Sequence, residues 1–248
     1  MSATFAGFTP KAFTFLRGLA RHNEKEWFEA HRPQYEGDLR QPMVALVDEM
    51  DARFGAFMPE MVGDRRRSVF RIHRDERFSK DKRPYKTNGA CWFFHRDVVR
   101  ARQGERAGET AGATVHGGAG FYFQLAPGDC WVGGGLWMPP RPALNLVREA
   151  IAEDHRGFER IVNAPAFVER FGEIDAEAVL KRTPRGYDLE HPAAGWLRYQ
   201  SFTAGRKLRD AETLGARLPD LLEADYRALL PFVRWINRAL GLSAAERR

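Results

Sequence analysis

The sequence predicts an α+β domain, a mainly antiparallel sheet of about five strands packed with N-terminal and C-terminal helices. Three observations predict it. Apolar residues recur at helical spacing through the first sixty residues. Between residues 68 and 137 the period shortens to that of strands. Helical spacing then returns after Pro139 and again from about Asp210 to Leu240. Helices segregated before and after a run of strands fit this class better than an alternating βαβ order. A chain of 248 residues can bury a substantial core, and the expectation is one domain over residues 1–248.

The elements follow in order. Thr9-Pro10 places an N-cap before a proline at the first helical position, and the helix should run to about Ala20, burying Phe13 and Leu16. Asn23-Glu24-Lys25-Glu26 has capping-box spacing and predicts a short helix with Trp27 and Phe28. Met43, Leu46, Val47, Met50 and Phe54 predict a longer helix over 39–57. Ser68 to His73 alternates, Phe70 and Ile72 pointing one way and Val69, Arg71 and His73 the other. Ala90 to His95 is a second strand-like run. Gly120 to Leu125 sets Phe121, Phe123 and Leu125 against Tyr122 and Gln124, and Pro127-Gly128-Asp129 turns into a partner strand ending near Trp137. Residues 101–118, rich in Gly, Arg, Glu and Thr, predict a mobile surface loop. Leu144, Val147 and Ile151 mark another helix, and Pro165 should split 158–171 into two. Val179–Arg182 reads as a short strand and Leu197–Phe202 as the fifth. Pro219 and Pro231 should divide or kink the last helix.

Charge is concentrated in one segment. Residues 65–86 hold ten Lys/Arg against three acids, a charge of +7 that accounts for the whole chain's +6 and leaves the remainder at −1. A nonspecific nucleic-acid binder spreads its cations over a wide face, so one focused cluster points to a discrete anion. Cys91 and Cys130 form no CxxC pair and read as buried thiols in a reducing cytoplasm. The N-terminus has no secretory pattern, and no apolar run approaches the ~20 residues that span a bilayer. Cytoplasmic localisation without a membrane partner is the expectation.

The cluster runs Arg71-Ile-His-Arg74-Asp75-Glu-Arg77-Phe78-Ser-Lys-Asp81-Lys82-Arg-Pro-Tyr85-Lys86. Guanidinium forks bind carboxylate or phosphate bidentately. Arg71, Arg74 and Arg77 are therefore candidates to grip an anion, with Asp75 and Asp81 orienting them and Lys82, Tyr85 and Lys86 closing the rim. The alternatives are an internal salt-bridge network, a nucleic-acid surface shared with Lys181–Arg185, and a dock for an acidic protein. His73 beside Asp75 and Tyr85 is a candidate acid–base group. For an enzyme, the motif predicts electrostatic stabilisation of developing negative charge rather than covalent or metal catalysis.

This segment resembles the signature of the bacterial and fungal family DUF2461, approximately R-x-x-R-D-x-R-F followed by D/N-K and a tyrosine. Arg71, Arg74, Asp75, Arg77, Phe78, Asp81, Lys82 and Tyr85 match it. The resemblance extends to Gly133-Gly-Gly-Leu-Trp-Met-Pro139, Leu180–Gly186 and Phe8-Thr9, with residues 101–118 as a local insertion. It implies a single domain of this length and assigns no activity, cofactor or catalytic residue. Gly133–Gly135 suits either a bare strand under a bulky aromatic or a pocket wall. Thr183-Pro-Arg185-Gly186-Tyr187, with Lys181, Arg182 and Arg198, is a further basic loop that either folds against the first cluster or forms an ordinary turn. No HExxH, Cys/His zinc spacing, phosphate-binding loop or Gly-x-Ser-x-Gly elbow occurs.

Overall fold

A computed structural model describes residues 5–75, 81–101, 118–242 and 244. The N-terminal layer is helical. α1 (Pro10–Arg21) starts at the predicted proline, and its inner face buries Phe13, Phe15, Leu16 and Leu19. Thr9 precedes it in an extended conformation without a side-chain cap bond. α2 (Lys25–Ala30) also lacks the predicted capping box, because Asn23 turns its amide elsewhere. α3 (Arg32–Gln34) and a π-helical turn at Tyr35–Arg40 lead into α4 (Gln41–Phe57).

The sheet is a five-stranded antiparallel meander in sequence order: β1 (Met61–Val62), β2 (Gly89–His95), β3 (Gly120–Leu125), β4 (Cys130–Leu136) and β5 (Phe202–Leu208). α5 (Arg96–Ala101) follows β2 directly. β1 is too short to leave a periodic signal. The fifth strand begins at Phe202, where the sequence reading ends it, and Ala194–Leu197 is a helical turn, α9. The physical reason lies in Arg206. It occupies an inward position of β5, opposite Val132, and pairs with buried Asp225, so a charge interrupts the apolar alternation.

α6 (Arg141–Glu153), α7 (His155–Val162) and α8 (Pro165–Phe171) follow β4, with Pro165 opening α8 as its position predicts. After a 3-10 turn at Asp210–Thr213, α10 (Leu218–Ala239) crosses the sheet's inner face. Pro219 sits in its first turn. Pro231 lies inside it without dividing it, since buried Leu229, Phe232 and Val233 hold the helix on both sides. Buried side chains from Phe5 to Ile236 form one contiguous core.

The inner face of the sheet presents Cys91, Phe93, Phe121, Phe123 and Val132 to that core. The outer face carries Trp92, Tyr122 and Trp131. The Trp131 ring covers Gly133 and Gly205, where a Cβ would come within 2.2 Å of it. Of the triple glycine, Gly133 is thus bare strand beneath an aromatic, whereas a Cβ at Gly134 or Gly135 would meet the backbone of Gly120 or Phe202. Both cysteines are buried free thiols. No helix among the described residues is long and apolar enough to cross a membrane.

Candidate functional site

The described parts of the basic motif, 71–75 and 81–86, form the end of a bulged hairpin whose return arm becomes β2. Along it, Trp92 N–H donates to Ser68 O, Phe70 N–H to Ala90 O, Lys86 N–H to Ile72 O and Arg74 N–H to Pro84 O. From Phe70 to Ile72 the outgoing arm advances two residues while the return arm spans four, from Ala90 to Lys86. The excess residues bulge, and pairing is reduced to single bridges at Val69–Cys91 and His73–Tyr85.

That slip corrects the predicted alternation. Ile72 is buried and Val69 packs on the same core, whereas Phe70 meets Tyr122 on the outer face with ring centroids 6.0 Å apart. Arg71 and His73 are both exposed, on either side of buried Ile72, as the alternation predicts for this pair. The exposed His73 ring also lies 5.8 Å from Phe28 and 5.1 Å from Tyr85.

Tyr85 anchors the tip. It is buried, its ring stacks on Phe28 at 4.3 Å, and its backbone N–H and C=O both bond the Asn23 side chain. This explains why Asn23 leaves α2 uncapped. The predicted role of Tyr85 at a ligand rim is therefore taken up by packing of the ring. Neither Asn23 nor Phe28 stands out in the sequence as part of this site, because their contacts cross from another element.

Arg74, Asp81, Arg83 and Lys86 come together around that anchor. Asp81 accepts from Arg83 Nε at 3.0 Å and Nη2 at 2.6 Å, and also from the Arg83 backbone at 3.1 Å. Arg74 Nη2 lies 3.2 Å from the same carboxylate and 3.5 Å from Tyr85 O. The Arg83 hydrogen bonds hold the Asp81 carboxyl well below the usual carboxylate range. Arg74 Nε is buried without a hydrogen-bond partner. Lys86 Nζ lies 5.4 Å from the centre of the Phe70 ring. Burial, and then the neighbouring Arg74 charge, push the Lys86 amine below its ordinary range. Two cations thus share a partly desolvated position. Asp75 and Lys82 are exposed beside them. Arg77 lies outside the described residues, as does nearly all of the predicted loop at 101–118.

The basic loop after Leu180 does not fold against this cluster. Gln200 N–H donates to Ala178 O and Leu180 N–H to Arg198 O, so residues 178–180 pair with the segment leading into β5. The hairpin borders β2, three strand spacings or about 14 Å from β5. Among the described residues no group of three or more His, Cys, Asp or Glu could hold a metal ion.

A family model described as a conserved hypothetical protein, DUF2461, matches residues 11–235. No curated protein and no solved structure matches the chain.

Proposed function

The chain belongs to the DUF2461 family, and from that premise we propose that its hairpin tip binds the phosphate or carboxylate group of a small anionic ligand in the cytoplasm. One observation carries this reading. Arg74 is held at the tip with its Nε buried and unpartnered, beside Lys86, while Asp81 is engaged bidentately by Arg83. Two like charges in a partly desolvated place raise each other's cost, and an anion placed between them relieves it. Asp81 and the buried Tyr85 fix the geometry in advance, which favours a discrete group over diffuse attraction.

The two basic segments leave opposite edges of the sheet. That supports a small ligand over a continuous nucleic-acid stripe, which would need both on one track. Calorimetric titration with inorganic phosphate tests the proposal. Arg74→Gln is expected to weaken binding by about tenfold or more, the loss of a charge-assisted contact, while the melting temperature stays close to wild type. Arg77→Ala should weaken it as well. Unfolding of Arg74→Gln, with no phosphate binding by the wild type, would return the tip to a purely structural salt-bridge network. Oligonucleotide binding that weakens steeply with salt would favour the nucleic-acid alternative.

A further inference from the structure

Arg148, on α6, is 5% exposed. Its Nη2 donates to the Tyr199 carbonyl at 2.9 Å. Its Nε is buried and has no partner. The ionisable groups acting on it are the Tyr187 phenol and Arg141, the second a like charge. The other buried ions of the described residues are treated differently. Glu60 is paired with Arg234, and Asp225 with Arg170 and Arg206. Arg148 has no carboxylate partner among the described residues. Burying a cation without an opposite charge is strongly unfavourable, so the position needs a reason beyond packing.

Its surroundings supply one. The segment that accepts from Arg148 is pinned from two sides. Val179 bridges to Tyr199, and Arg198 Nε donates to Leu180 O at 2.8 Å. Two residues further on, Ser201 Oγ accepts from Met138 N–H at 2.9 Å, tying down the connection between β4 and α6. Exposed Lys181, Arg182 and Arg185 follow that bridge and lead to Tyr187, which is half-buried. The result is a buried guanidinium without an opposite charge, acted on by the Tyr187 phenol at the end of an exposed basic loop.

We propose that Arg148 is a second anion site, binding a carboxylate or phosphate group of a small molecule, with Tyr187 as a further hydrogen-bond donor. This does not depend on the hairpin tip. The observed hydrogen bond to Tyr199 fixes the guanidinium plane, and the incoming oxyanion provides the missing opposite charge.

Thermal shift with sodium acetate and with sodium phosphate, at constant ionic strength, tests it in four proteins: wild type, Arg148→Met, Arg148→Lys and Arg74→Gln. In at least one of the two salts the wild-type melting temperature should rise by about 3 °C at a concentration ten times the dissociation constant. The part of the rise owed to this site should vanish in Arg148→Met, shrink in Arg148→Lys and persist in Arg74→Gln. Arg148→Lys keeps the charge and tests the site if the methionine variant fails to fold. In salt-free buffer Arg148→Met should melt no lower than wild type, since it removes an unpaired buried charge. An equal rise in wild type and both Arg148 variants, or no rise in either salt, would overturn the proposal. A rise lost only in Arg74→Gln would do the same while leaving the hairpin-tip reading intact.

Discussion

Lys86 shows how a residue's setting changes its chemistry. In the sequence it is one of ten cations in a row of twenty-two residues. In the fold its amine lies over Phe70 and beside Arg74, and burial lowers its pKa. The sign of the pH effect follows. The free protein gains stability as pH rises through the lowered value, because the unfolded chain holds that proton more tightly. Anion affinity moves the other way, since only the protonated amine attracts the ligand. Above about pH 8, where phosphate keeps a constant charge, phosphate affinity is expected to fall with pH earlier than an exposed lysine would allow. Calorimetry across that range checks it. Lys86→Arg should flatten the profile, because a guanidinium stays charged throughout.

At the scale of elements, charges placed inside the fold decide where strands and helices meet. Asp225 on α10 is fully buried and binds Arg170 of α8 and Arg206 of β5. Removing its charge leaves two guanidinium groups facing each other, although both reach solvent, which limits the cost. Asp225→Asn is expected to destabilise by about 3 kcal/mol, a fall of roughly 6–12 °C in melting temperature by circular dichroism. The same pairing explains a missed element, since Arg206 hides the inward phase of β5. The motif hairpin departs from the regular strand that the sequence predicts for a different reason. Alternation at Ser68–His73 is visible in the sequence, but the bulge that turns Phe70 outward depends on register with the return arm.

For the whole molecule, the core runs without interruption from Phe5 to Ile236, and α10 closes the inner face of the sheet. Phe8 even bridges to Leu214, joining the start of the described chain to the approach to α10. Helical and aromatic signals should therefore be lost together. Far-ultraviolet circular dichroism and tryptophan fluorescence are expected to give coincident denaturant transitions, and separate midpoints would show that the chain divides into two folding units.

The sequence by itself determined the α+β class, most helix positions, β2 to β4 and the family, because these depend on local periodicity, on prolines at helix starts and on a long contiguous motif. It also marked out Arg71, Arg74, Asp75, Arg77, Asp81, Lys82, Tyr85 and Lys86 as a group. Only the tertiary structure decided what that group is made of. It moved Tyr85 from the rim into the core, brought in Asn23 and Phe28 from the first helical layer, and gave Asp81 to Arg83 as well as Arg74. It also separated the second basic loop from the first and brought Arg148 of α6 to the Tyr199 carbonyl. The reason is physical: composition and spacing show which side chains carry charge, whereas burial and the choice of partner arise only when distant segments pack together.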